Sequence, residues 1–215
     1  MKTLIAIPCF DKVDTKFYQS FVDLQKPGDS SYTVLSNTLI YIARNIIAGN
    51  ALQAGFDRVF WMDSDMIFPA DALTKLSQDM DENGLDFVSG LYFTRRPPVI
   101  KPNAFSSLWW EQKEDGIDTG ADHLWTYPDN SLVEVAATGF GCCLTTVDLI
   151  KRVGDKFGSP FTPIDGMGED LAFCLRARKA GARLWLDTSV KCGHIGQMVF
   201  DEEYYKKQGV PEHGS

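Results

Sequence analysis

The chain lacks any apolar run long enough to span a bilayer, so no transmembrane helix is expected. It has few histidines, 3 in 215 residues, so each one counts as a candidate ligand. It has no C-x-x-C pair, and its 5 cysteines are an odd number with Cys142 and Cys143 adjacent. Neither a disulfide framework nor a zinc knuckle is therefore suggested. A set of Cys142, Cys143, Cys192 and His194 has zinc-ligand chemistry but not zinc-ligand spacing, and buried reduced cysteines in a cytoplasmic protein are the expectation. Basic residues are in deficit: 21 Lys and Arg against 29 Asp and Glu give a net charge of −8. That disfavours broad binding to nucleic acid or anionic lipid, while leaving room for one local basic pocket. Lys2 and the apolar 4–7 run resemble the start of a signal peptide, but Asp11 and Lys12 close the run early and no small-residue cleavage site follows. There is no internal repeat and no low-complexity tract.

What is present alternates between strand-like and helix-like patterns. Strands are expected over 3–8, 58–62, 87–93, 132–136, 142–146 and 182–186. Helices are expected from about 37 to 54, capped by Ser36 or Asn37 and stopped by Gly55, and over 70–80, from 147 to about 153, and over 171–179, stopped by Gly181. Leu39, Ile42, Ala43 and Ile46 give the first of these helices an apolar stripe. Residues 12–35 are mixed, with Pro27-Gly28-Asp29-Ser30 a loop. The alternation predicts an α/β single domain with a mostly parallel central sheet flanked by helices. Residues 95–131 interrupt it as an irregular or β-rich excursion on the acceptor side, carrying Arg95-Arg96-Pro97-Pro98 and Trp109, Trp110 and Trp125. The expected layout is a binding half over 1–94, the excursion, a catalytic half over 132–200 and a tail over 201–215.

Three constellations carry chemistry. The apolar run 59–62 stops at Asp63-Ser64-Asp65. Carboxylates at a strand end project into the crevice where open α/β sheets bind ligands, and carboxylates spaced i, i+2 on a strand share a face. Their oxygens suit a Mg²⁺ or Mn²⁺ shared with substrate phosphates; the plainer alternative is a turn with two solvated aspartates. Gly168-Glu169-Asp170 opens a helix, where acidic residues are favoured by the dipole alone. His194, between Gly193 and Gly196, follows the last strand.

The order of these motifs resembles the GT-A-fold nucleotide-sugar glycosyltransferases, the family 2-like group included, from Leu4-Ile5-Ala6-Ile7-Pro8 to His194. Ala43-Arg44-Asn45, Asp63-Ser64-Asp65 and Gly168-Glu169-Asp170 with its Arg-rich helix to Gly181 match the family pattern. The Cys9-Phe10-Asp11 turn departs from it in lacking the usual asparagine. The resemblance implies an enzyme of the hexosyltransferase type, with Mn²⁺ or Mg²⁺ as cofactor, a nucleoside-diphosphate sugar donor (UDP-sugar before GDP-sugar) and an acceptor it does not identify. It implies that Pro8, Cys9, Phe10 and Asp11 sit beside the base, with Arg44 near the phosphates; a salt bridge from Arg44 to a neighbouring carboxylate is the equal alternative. Asp65 and His194 are then metal ligands, Asp63 bridges donor and metal, and Asp170 is the catalytic base with Glu169 assisting. Trp109, Trp110 and Trp125 could form a platform for a sugar acceptor. Two alternatives stay open: a phosphatase-like hydrolase with Asp63 as nucleophile, and a nucleotide-sugar-binding module without turnover.

Overall fold

The computed structural model describes residues 1–95, 99–196 and 199–208. Arg96, Pro97 and Pro98, and positions 209–215 of the expected tail, lie outside that set. The elements run β1 (Thr3–Pro8), α1 (Thr15–Asp23), β2 (Ser30–Leu35), α2 (Ile40–Gln53), β3 (Arg58–Met62), β4 (Met66–Ile67) and α3 (Ala72–Asn83). Then follow β5 (Phe87–Leu91), β6 (Ala104–Lys113), β7 (Gly116–His123), β8 (Leu132–Val135), β9 (Ala137–Thr138) and β10 (Cys142–Thr146). The chain closes with α4 (Val147–Phe157), α5 (Glu169–Lys179), β11 (Leu184–Lys191), β12 (Gly193–Ile195), β13 (Val199–Phe200) and α6 (Glu202–Gln208).

The central sheet has seven strands in the order β2-β1-β3-β10-β5-β11-β8. Five run one way, and β10 and β8 run against them. This is the mostly parallel sheet the sequence predicts, with one antiparallel strand inserted at its centre. Every residue of β3 is buried, as a strand covered on both faces requires. Its side chains alternate: Val59 and Trp61 enter the core beneath α2, α4 and α5, while Phe60 and Met62 enter the core beneath α1 and α3. On the first side Trp61, Phe140, Phe161 and Phe173 form a ring cluster, with Phe161 and Phe173 stacked at 4.6 Å.

Several boundaries differ from the sequence reading. The mixed stretch over 12–35 holds a helix, capped by the Asp14 side chain at Lys16 N–H, and an edge strand, β2. Helix α2 starts at Ile40 without a side-chain cap. Its buried face is Ala43, Arg44, Ile47, Ala48 and Ala51, and Leu39 and Ile46 of the expected stripe are exposed. Arg44 lies on that buried face, and its partners are described below. The excursion is β-rich: β6 and β7 form a hairpin, and β6 pairs with β9. The expected tail carries α6, whose Tyr205 stacks on Phe93 at 4.6 Å and donates to the Trp125 carbonyl at 2.7 Å. Gly84 and Gly181 end α3 and α5 with φ of 62° and 88°, the left-handed region that favours glycine, and Gly181 is the stop expected for its helix. No helix among the described residues is long and apolar enough to cross a membrane.

Candidate active site

Strand β3 ends at Met62, and Asp63-Ser64-Asp65 is a turn closed by Met66 N–H donating to the Asp63 carbonyl at 3.2 Å. The rule that residues i and i+2 share a strand face therefore does not apply, and the two carboxylates point to different partners. Asp63 turns inward: its Oδ1 accepts from Arg44 Nη2 at 2.8 Å. Arg44 Nη1 reaches Glu169 Oε1, also at 2.8 Å. Only 2% of the Arg44 side chain is exposed, and the guanidinium lies 5.2 Å from the Phe140 ring centroid. Burial pulls the Arg44 pKa down, but the charges of Asp63, Glu169 and Asp170 outweigh it and hold it above its ordinary value. Of the two readings open for Arg44, the structure shows the salt bridge to neighbouring carboxylates. Both terminal nitrogens are engaged by carboxylates, so Arg44 joins the two acidic motifs. Asn45 is also inward, its Oδ1 accepting from Phe161 N–H at 2.9 Å.

Asp65 turns outward to His194. Their Oδ2 and Nε2 atoms are 3.6 Å apart. A second small sheet produces this approach: β12 pairs antiparallel with β4, placing His194 opposite Met66, and Ile195 N–H donates to the Asp65 carbonyl at 2.7 Å. Gly193 permits the fit, since a Cβ there would lie 3.0 Å from Val199 Cγ1. His194 Nδ1 lies 2.8 Å from the Phe93 carbonyl oxygen. A carbonyl can only accept, so Nδ1 carries the proton and Nε2 faces Asp65. Arg95 Nη1 also reaches Asp65 Oδ2 at 2.6 Å and donates to the Ile195 carbonyl at 2.7 Å. Burial alone would raise the Asp65 carboxyl; its neighbours across the crevice, the His194 ring and the Arg95 guanidinium, outweigh that and hold it below its ordinary value.

Asp65 and His194 are ligand-type side chains that could hold a metal together, and the imidazole tautomer is fixed from behind, the support that metal-binding histidines require. One carboxylate and one imidazole suit Mn²⁺ or Mg²⁺ when substrate phosphates and water complete the sphere. Among the described residues no group of three His, Cys, Asp or Glu side chains is gathered for a metal. Asp63, with Oδ1 paired to Arg44, is not gathered with Asp65 and His194, and neither are Cys142, Cys143 and Cys192. All five cysteines are buried and free.

Two cavities flank this centre. The first, about 260 Å³, is lined by Pro8, Cys9, Phe10, Leu39, Asp63 and Asp65 among others. Phe10 stands at it with 75% of its surface exposed, and its loop is held by Asn37 N–H donating to the Phe10 carbonyl at 2.8 Å. Asp11 is exposed and outside that lining. The second, about 670 Å³, is lined by Arg95, Lys101, Asn103, His123, Asp170 and His194 among others. Asp170, at the second position of α5, has its Oδ1 fixed by Leu171 N–H at 2.8 Å. Burial raises the Asp170 carboxyl above its ordinary value, against the opposing charge of Arg44. Glu169 is likewise raised by burial, with Arg44 opposing and Asp170 adding to the rise. The aromatic trio does not gather there: Trp109 and Trp110 donate to Asp118 Oδ1 and the Asp165 carbonyl on the hairpin side.

Sequence reasoning missed Tyr92 and Asn103. Buried Tyr92 Oη accepts from Asn103 Nδ2 at 2.6 Å and from Gly141 N–H at 3.1 Å. Gly141 in turn accepts from Asp63 N–H at 3.1 Å, so this knot supports the Asp63 turn from behind. The only visible signal was the Gly139-Phe140-Gly141 spacing. A Cβ at Gly139 would lie 2.1 Å from Tyr92 Oη, which is why the backbone must be bare there.

No protein-family model and no curated protein sequence matches the chain. Solved structures do. A197 from STIV superposes with a TM-score of 0.64 at 20% identity, covering 91% of this chain and 86% of that one. GalNAc-T7, in a crystal structure with UDP, GalNAc and Mn²⁺, gives 0.60 at 11% identity, covering 91% of this chain and 43% of its own. S. aureus TarS 1–349 gives 0.56 at 14% identity, covering 88% and 59%. The fold is GT-A-like. The chain spans about half the length of the GalNAc-T7 and TarS chains it matches.

Proposed function

We propose that the protein is a metal-dependent glycosyltransferase that moves a sugar from a nucleoside-diphosphate sugar, a UDP-sugar in the first instance, to an acceptor hydroxyl. The observation that carries this reading is the Asp65–His194 pair, with its imidazole tautomer fixed, between two cavities in a GT-A-like fold. The complexes of GalNAc-T7 with UDP and Mn²⁺ and of TarS with UDP-GlcNAc support the choice of donor.

In this reading Phe10 offers a ring face to the base, and Pro8 and Cys9 form the wall behind it. Asp65 and His194 would hold Mn²⁺ or Mg²⁺, which would supply positive charge against that growing on the diphosphate leaving group. Arg95 adds a cation beside the same phosphates. Asp63 and Glu169 are held by Arg44 as a rigid frame under the donor. Asp170 takes the acceptor proton. The acceptor oxygen forms a bond to the anomeric carbon, the bond from that carbon to the diphosphate oxygen breaks, and its electron pair leaves with the nucleoside diphosphate. A carboxyl raised by burial is a stronger base than a solvated one, as a general base for a hydroxyl requires.

The test is UDP release from a panel of UDP- and GDP-sugars with Mn²⁺ and with a chelator. Release from a UDP-sugar only when metal is present is expected. Binding of UDP-sugars with no release under any condition would contradict transfer and leave a nucleotide-sugar-binding module.

A further inference from the structure

The second cavity has a charge balance opposite to that of the whole chain. The chain carries a net charge of −8, yet Arg95 and Lys101 line this cavity against the single carboxylate of Asp170, with two neutral imidazoles beside them. Arg95 and His194 already face Asp65. Lys101 has no carboxylate partner among the described residues. Its backbone N–H donates to Thr94 Oγ1 at 3.0 Å, and its ammonium lies 5.5 Å from the Trp125 ring centroid. His123 Nδ1 donates to the Pro102 carbonyl at 2.8 Å, which leaves Nε2 as a hydrogen-bond acceptor. Burial, with the Lys101 charge adding to it, lowers the His123 pKa and so favours that neutral ring. Phe105 packs against His123 at 4.6 Å and gives the cavity an apolar wall.

We propose that this cavity is the acceptor subsite and that it selects an anionic saccharide, one whose carboxylate or phosphate pairs with Lys101 while a hydroxyl donates to His123. This rests on the transferase reading, because Asp170 lines the same cavity and is there the base for the acceptor hydroxyl. A partly buried ammonium without a counter-ion is a strong selector of charge, since an ion pair there is screened less than at the surface. Lysine presents a point charge and accepts carboxylate or phosphate without the planar fit arginine demands.

Binding of D-glucuronate, glucose 6-phosphate and methyl glucoside, measured by calorimetry with UDP and Mn²⁺ saturating the donor side, tests the proposal. At least one of the two anions should bind about tenfold more tightly than methyl glucoside, and which one does so separates carboxylate from phosphate recognition. Lys101→Ala should erase that preference at an unchanged melting temperature, and Lys101→Arg should keep most of it. Equal binding of all three sugars, or a preference that survives Lys101→Ala, overturns the proposal. A Lys101-dependent preference in a protein that does not bind UDP would uphold the anion site and contradict the transferase reading. Metal-dependent UDP-sugar turnover with no anion preference would do the reverse.

Discussion

Asp63 and Asp65 are separated by one residue and do different work, because the chain leaves β3 before the first of them. Asp63 sits in a buried ion-pair triad with Arg44 and Glu169. Removing the shared cation would leave two poorly solvated carboxylates facing each other. Arg44→Met should therefore cost about 3–5 kcal/mol of stability, read as a lower denaturation midpoint, and Arg44→Lys should recover only part because one ammonium cannot bridge both partners as the guanidinium fork does. Phe10 makes a separate prediction. Stacking of a base on an aromatic ring contributes about 1–3 kcal/mol, so Phe10→Ala should weaken UDP binding correspondingly in a titration while leaving the melting temperature of the free protein unchanged. At Asp170 the expected loss is kinetic. Asp170→Asn keeps a side-chain oxygen for Leu171 N–H and removes the base, so kcat should fall about 10²–10⁴-fold with UDP affinity retained. Near-normal transfer in Asp170→Asn together with a loss in Glu169→Gln would move the base to Glu169.

At the level of elements, what could be read in the sequence was local. The apolar strand before Asp63, the helix after Gly168 and the left-handed glycines at 84 and 181 follow from runs, caps and turn residues within a few positions. The insertion of β10 between β3 and β5, the β4–β12 pairing that brings His194 to Asp65, and the burial of Arg44 are long-range pairings that leave no periodic trace. Helix α2 shows the cost of ignoring them: Leu39 and Ile46 of its expected stripe are exposed, while Arg44 is buried beside Ala43, Ile47, Ala48 and Ala51. Between α3 and β11 lies a pair the sequence did not suggest. Asp79 Oδ2 is buried without a donor facing it, and Asp187 is buried with its oxygens accepting from Ser189. Burial and the Asp187 charge push the Asp79 carboxyl from 3.8 up to about 7. Protonation turns Asp79 into the donor the pair lacks. Because the folded pKa lies above the unfolded one, this contribution to stability is fully present below about pH 4 and is lost as pH rises through about 7. Asp79→Asn should flatten the stability profile over that window in chemical denaturation at several pH values. A profile in Asp79→Asn as steep as the wild type would remove the pair from the account.

For the whole molecule, the order of motifs along the chain proved more informative than any motif alone. An acidic turn, a helix-opening carboxylate pair and a late histidine are each common; in this order they anticipated a GT-A-like fold that the superpositions show. The excursion and α6 were the least legible parts, because hairpin register and the docking of Tyr205 on Phe93 depend on partners far away in sequence. The central claim is that Asp65 and His194 hold a divalent ion for a nucleoside diphosphate. Calorimetric titration of UDP into the protein, with Mn²⁺ and with a chelator, addresses it most directly. The account predicts binding that depends on Mn²⁺ and that is lost in both Asp65→Ala and His194→Ala. Binding of equal strength with the chelator, or metal-dependent binding that persists in both variants, would contradict it.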